Sequence, residues 1–336
     1  MTQKSSSISL SQALLPVIIL VLLLAFNVFV FGDDALGGSN QFILLIGAAV
    51  AAVVGFRNKV SYEVMLEAIG SNLKSTTGAI LILLFVGALA GTWLLSGIIP
   101  AMIYYGLQIL HPSIFLPACI IICAIISLAT GSSWTTSATV GIALIGIGRA
   151  LEIPVGMVAG AVISGAYFGD KLSPLSDTTN LAPAMAGTDL FTHIRYMTYT
   201  TVPSIVITLI VFLFLGFFQE ANGQADTQLL LDSIDERFTI NLGLFIVPLL
   251  VIFMIVRKAP PLVALMIGTL LGGGFALLYQ PHLVLETAGA VQLNITSAYR
   301  GIMNAITIDN AIATSNDLLN DLFTSGGMQG MLGTIW

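Results

Sequence analysis

Apolar runs of bilayer-crossing length recur along this chain. They lie at 13–31, 41–56, 79–95, 114–129, 138–148, 153–169, 202–218, 240–256 and 261–279, and a last run opens near Gly326. A helix crosses the hydrocarbon core with about 20 apolar residues. Lipid offers no partner to a free backbone amide, so such runs must close their hydrogen bonds internally as helices. Only 8% of the 336 residues are charged, against about 25% in a soluble domain, so polar side chains are too few to cover the molecule in water. The expected fold class is an all-α polytopic membrane protein. The run at 13–31 follows Lys4 and has full spanning length with no small-residue cleavage site behind it, which reads as a retained first helix rather than a signal peptide.

Lys and Arg in short loops set orientation. Lys4 places the N-terminus in the cytoplasm, Asp33 and Asp34 place the first loop outside, and Arg57 with Lys59 return the chain inside. His193 and Arg195 mark another inner loop, the acidic stretch 220–236 is outer, and Arg257 with Lys258 is inner. Arg149 alone fits this alternation poorly. No basic patch points to nucleic acid. Cys119 and Cys123, four apart in an apolar run, read as packing residues.

One arrangement occurs twice. Residues 61–74 carry Tyr62, Met65, Leu66, Ile69 and Leu73 at helical spacing, with Glu63, Glu67 and Lys74 opposite. This pattern predicts an amphipathic helix in the membrane interface. It follows two spans and precedes a third. Further on, two spans lead to a mixed segment at 297–323, with Tyr299, Ile302, Met303 and Ile306 at helical spacing, and then to the run near Gly326. The charge rule starts the first set inside and the second outside, the signature of an inverted-repeat secondary transporter. The first repeat is expected over 1–220, with the interfacial helix at 61–74, a hairpin at 112–150, a broken helix at 153–187 and a span at 200–218. An external acidic loop follows at 221–239, and the second repeat starts at 240–336.

Two polar motifs interrupt the apolar pattern. Gly131-Ser132-Ser133-Trp134-Thr135-Thr136-Ser137 lies between the runs 114–129 and 138–148. The second run is short for a crossing, so the motif reads as the tip of a re-entrant hairpin, whose hydroxyls offer oxygen ligands inside the membrane. A water-exposed turn is the plainer alternative. The second motif is Gly169-Asp170-Lys171-Leu172-Ser173-Pro174-Leu175-Ser176-Asp177-Thr178-Thr179-Asn180, after a span rich in Gly, Ala and Ser. Pro174 removes a donor and disfavours helix at Ser173, so the helix must break. Asp170 and Asp177 bracket the break, with Ser173, Ser176, Thr178, Thr179 and Asn180 beside them. A membrane-buried charge is costly and marks function. A cytoplasmic loop with Asp177 as a helix cap is the alternative. Lys171 reads either as a structural ion pair with Asp170 or as a mobile counter-charge. Asn27 and Thr92 read as locally satisfied, and His111 as interfacial. Asp309, Asp317 and Asp321 read as facing water.

A small hard cation wants several carboxylate, hydroxyl and carbonyl oxygens. A carboxylate in a low-dielectric site holds its proton more strongly, so sodium and proton compete for one group. A site crossing the membrane with one or the other is an exchanger. The candidate ion site comprises Asp177 and Asp170 as sodium ligands, with Ser176, Ser173, Thr178, Thr179, Asn180, Ser132, Ser133, Thr135 and Thr136 around them. No cofactor is expected beyond the transported ions. Catalysis reads poorly: Tyr167-Phe168-Gly169-Asp170 lacks the first glycine of an intramembrane aspartyl protease motif, and Val162-Ile163-Ser164-Gly165 lacks that of a serine protease. A channel would need a continuous pore, against which the repeat order argues.

The motif at 131–136 and the long run from Gly169 to Ala182 resemble the NhaC-type sodium/proton antiporters of the ion-transporter superfamily. The resemblance implies a bacterial inner-membrane, multi-pass antiporter with two inverted repeats, each holding a hairpin and a broken helix. It implies exchange of cytoplasmic sodium for external protons, in a lipid bilayer and with room for a homodimer. Relatives that exchange organic acids, malate for lactate, supply the alternative function. Family members run longer than 336 residues, so the chain is expected to stop within its second repeat, lacking the second hairpin and second broken helix.

Overall fold

The structure is a computed structural model and describes residues 9–109, 112–131, 133–174, 176–218, 227–257 and 259–335. His111, on which an interfacial role is expected, and most of the first half of the acidic stretch lie outside the described residues. The chain divides into two compact units, residues 1–81 with 331–336, and residues 82–330.

In the first unit, α1 (Leu10–Phe31) packs beside α2 (Ser39–Arg57). Leu20 fits against Gly47, where a Cβ would stand 2.8 Å from its methyl. Asn27 is buried and donates to Ser39 Oγ and Asn40 Oδ1, both at 2.8 Å. The span's one strongly polar side chain is thus satisfied at the helix contact. Helix α3 (Tyr62–Leu95) begins here. The amphipathic segment 61–74 and the span after it, expected as separate elements, form this one continuous helix. No helix breaker lies between them, and Gly78 alone does not interrupt it.

The second unit starts within α3 at Ile82. Ser96 and Gly97 break the chain, with Gly97 at φ +81°, a conformation that suits only glycine well. Helix α4 (Ile98–Ile109) follows, burying Ile98, Ile99, Ala101, Ile103 and Leu107. No expected run covers it. Then come α5 (Pro112–Thr130), α6 (Ser133–Thr136), a π-helical turn (Ser137–Gly141), α7 (Ile142–Ala150), α8 (Val155–Leu172), α9 (Asp177–Ala186) and α10 (Leu190–Phe218). Asp189 caps α10 by accepting from Thr192 N at 3.0 Å. The Thr192 hydroxyl and, after it, that backbone bond hold its carboxyl below the usual range.

The stretch expected as an external loop contains α11 (Thr227–Arg237), which buries Leu230, Leu231 and Ile234. Its leucines, spaced among acids, give it an apolar face that a loop would waste. It meets α12 (Ile246–Val256) through a 3-10 turn at Leu242–Phe245, and the segments 228–237 and 242–255 are bent by 84°. Helices α13 (Pro261–Tyr279), α14 (Pro281–Ala288), α15 (Ile295–Thr307), α16 (Asp317–Leu322) and α17 (Gly327–Gly330) complete the unit. Two-residue strands at Asn310–Ala311 and Thr324–Ser325 pair antiparallel, the one departure from an all-helical chain among the described residues. In α15 Ile302 of the apolar stripe packs on Gly273 of α13, but the stripe is only partly buried. Ser297, Gly301 and Ala305 are buried, and Tyr299 stands exposed.

Among the described residues, five helices are long and apolar enough to cross a membrane, or six if the bent pair counts as one span. Their outer faces carry exposed Leu, Ile, Val and Phe in α1, α2 and α10, a surface stable only in lipid. The protein is a multi-pass helical membrane protein.

Within the second unit, helices meet through small residues. Gly165 of α8 lies on the Ile120 carbonyl of α5, and a Cβ at Gly169 would stand 2.5 Å from the Ala124 carbonyl. Ser127 of α5 donates to the Ala166 carbonyl at 2.5 Å. Without a hydrophobic force between helices in lipid, such backbone approach supplies much of the packing energy. Gly165→Leu is therefore expected to force α5 from α8, with overpacking costing about 1–3 kcal/mol. Thermal melting of the detergent-solubilised protein should fall for this variant and hold for Gly156→Ala, where the added methyl meets open space.

Candidate functional site

The helix break sits where α8 meets α9. Helix α8 ends at Leu172, Ser173 turns extended (φ −78°, ψ 126°), and α9 begins at Asp177 with Ser176 as its N-cap. Pro174 can neither donate nor let Ser173 stay helical. Ser176 Oγ accepts from Thr179 N at 3.4 Å and shares a proton with Thr178 Oγ at 2.9 Å. Thr179 reaches back across the break and donates to the carbonyls of Asp170 (3.0 Å) and Lys171 (3.2 Å) at the end of α8, the former also accepting from Ser173 N at 3.3 Å. Ser173, Ser176 and Thr179 are buried.

The second motif arrives from the other side. Gly131 closes α5 at φ +70°, and α6 opens at Ser133. Ser133, 5% exposed, donates its hydroxyl to Asp170 Oδ2 at 3.0 Å. Thr136 is fully buried, whereas Trp134 is 56% exposed and turned away from the site. The π turn follows at once. Such turns leave the regular backbone pattern and occur often at functional sites.

The two arms of this hairpin meet where Phe115 of α5 lies against Gly148 of α7. Helix α8 lies against both. Its Gly165 and Gly169 face α5, while Val158 meets Gly148 of α7 and Val162 meets Gly141 in the π turn. The hairpin thus embraces α8, and the tip is delivered to the end of α8 where Asp170 stands.

Of the eleven expected site residues, the structure brings Asp170, Ser133, Ser173, Ser176, Thr178 and Thr179 into one neighbourhood across 133–179. Thr136 is buried in the same hairpin. Ser132 lies outside the described residues, as do the side chains of Thr135, Asp177 and Asn180. Lys171 makes no ion pair with Asp170. Neighbours in a helix point about 100° apart, and Lys171 is exposed on the other face. It lines a cavity of about 400 Å³ between α8 and α10 with Ser164, Tyr167, Thr200, Ser204 and Thr208. Ser127 is a positioning residue not expected from sequence, because a lone serine in an apolar run carries no signal of its partner. Cys119 and Cys123 are buried free thiols in the α5 core.

An interrupted helix that holds a carboxylate and buried hydroxyls is a feature that recurs in secondary transporters. The comparisons make this particular. Residues 165–336 match the model of the Na+/H+ antiporter family, and the chain belongs to that family. It is 41% identical to the malate-2H(+)/Na(+)-lactate antiporter of Bacillus subtilis, over 95% of this chain and 64% of that protein. It is 39% identical to the Na(+)/H(+) antiporter NhaC of Alkalihalophilus pseudofirmus, over 87% of this chain and 60% of that one. It is 32% identical to the arginine/ornithine antiporter ArcD of Halobacterium salinarum, over 98% and 64%. The chain therefore spans less than two thirds of the length of these relatives. No solved structure matches it.

Thr179→Val is expected to remove the hydroxyl donor to the Lys171 carbonyl and one of the two donors to the Asp170 carbonyl, and to cost about 0.6–1.7 kcal/mol, the range of polar contacts within a membrane protein. Thermal melting should drop for Thr179→Val and change little for Thr178→Val, whose side chain is exposed and bonds only Ser176.

Proposed function

We propose that the chain carries a sodium/proton exchange site at the α8–α9 break, acting in the cytoplasmic membrane with the N-terminus inside. The observation that carries this reading is the Ser133–Asp170 bond. It joins the hairpin tip to the only carboxylate whose described side chain stands at the break. Asp170 is the primary ion-binding group. Asp177, first residue of α9, is the second carboxylate, and the buried hydroxyls complete an oxygen shell for sodium. Protonation of the carboxylate and sodium binding are mutually exclusive, so the site returns with a proton after releasing sodium.

Two repeats of opposite orientation would give alternating access.

A second reading rests on the Lys171 cavity. Lys171 has no carboxylate partner among the described residues and is the one charged group lining that space, where an organic acid would find a counter-charge. The malate/lactate relative makes this the alternative cargo.

The test uses everted membrane vesicles carrying the chain with an acid interior. Added sodium should dissipate the proton gradient, and Asp170→Asn should reduce the response at least 10-fold while Asp170→Glu retains part of it. A response to malate or lactate but not to sodium, lost in Lys171→Gln, would transfer the function to the second reading. A sodium response unchanged in Asp170→Asn would remove the site from the break.

A further inference from the structure

A second polar pocket lies in the α14–α15 region, far along the chain from the helix break. It encloses about 230 Å³ and is lined by Glu286, Thr287, Asn304, Asp309 and Asn310 with a few apolar neighbours. Helix α14 ends with Glu286 and Thr287, α15 supplies Asn304, and the strand that follows supplies Asn310. The close approach of Gly301 to the Val284 carbonyl draws the two helices together, which places their polar ends around one space.

The polar atoms there are almost all oxygens or amides. Asn304 commits its amide nitrogen to the Thr287 carbonyl at 2.9 Å, which leaves its carbonyl oxygen uncommitted. Asn310 is only 8% exposed, and its Oδ1 receives the Thr287 hydroxyl at 3.5 Å. Its Nδ2 is buried without a partner. The amide can be turned end for end without moving heavy atoms, and either way one buried Asn310 atom is left without a partner beside the pocket.

Charge decides what kind of ligand. Glu286 is paired with Arg237 of α11, so its charge is neutralised. Asp309 has no polar partner among the described residues, and the pocket carries one uncompensated negative charge. A divalent ion would be left undercompensated, whereas a monovalent hard cation balances it and matches a set of carboxylate, amide and hydroxyl oxygens. We propose that Asp309, Asn310, Asn304 and Thr287 form a second site for a sodium-type cation, separate from the α8–α9 break. A chain with two such sites binds sodium at both.

Equilibrium binding of radioactive sodium to the purified full chain, at constant ionic strength in choline, tests this. In an Asp170→Asn, Asp177→Asn background, which removes the first site, saturable binding of about one sodium per chain should persist. Adding Asp309→Asn should weaken that binding at least 10-fold, and Asn304→Ala should weaken it less. Both variants should elute as the parent does in size exclusion, since Asp309 is exposed and Asn304 is only partly buried. Sodium binding in that background that is indifferent to Asp309→Asn and Asn304→Ala would overturn the proposal, as would its absence. Loss of transport in Asp170→Asn with this binding intact would instead bear on the helix break alone, so the two sites fail independently.

Discussion

The approach of α8 to α5 is the contact on which the site depends. Gly165, Ala166 and Gly169 present almost no side chain to α5, and the α5 carbonyls of Ile120 and Ala124 lie where a Cβ would stand. Ser127 locks the contact with a bond to the Ala166 carbonyl. Because Asp170 follows Gly169 directly, this packing also fixes how deep the carboxylate sits and which way it faces. The hairpin tip reaches Asp170 because its two arms lie along either side of the same helix. Moving α8 outward by one methyl would separate Ser133 from Asp170 as well as loosen the packing.

The break is stabilised from within. An interrupted helix exposes carbonyls that lipid cannot satisfy, and here the hydroxyl of Thr179 donates to two at the end of α8 while Ser176 caps the helix that restarts. The residues that repair the break are the same hydroxyls that offer ligands. An ion entering this site would meet a shell already oriented, at little ordering cost. The cation face of Lys171 is turned away, so the carboxylate is not neutralised by its own neighbour in sequence.

The membrane class, the position of the break and the hairpin motif were legible because each has a local physical cause. Apolar length requires lipid, Pro174 ends a helix, and a Ser/Thr cluster in an apolar run needs a reason. What was not legible depends on partners distant in the chain. Helix α4 was missed because its register is set by packing against α7, where Ile103 meets Gly146 and Gly106 meets Ile147. The acidic stretch concealed α11 because its charges outweigh Leu230, Leu231 and Ile234 until their burial is seen. In α15 the apolar stripe does supply Ile302 to the contact with α13, while the closest backbone approaches, at Gly301 and Ala305, carry no periodic signal. Asp309 is exposed, as its reading as a solvated acid expects, but nothing local predicts that it shares a pocket with Glu286 and Asn304. Ser127 and Ala166 are 39 residues apart, and no pattern within either run predicts that they meet.

The central claim is that Asp170 binds the transported cation. Its most direct test is protection from chemical modification. A hydrophobic carbodiimide reacts with protonated carboxyl groups in the membrane, and peptide mass spectrometry reads the modified residue. Sodium added before the reagent should suppress labelling of Asp170, and choline at equal ionic strength should not. Labelling of Asp170 that proceeds equally with and without sodium would contradict the account.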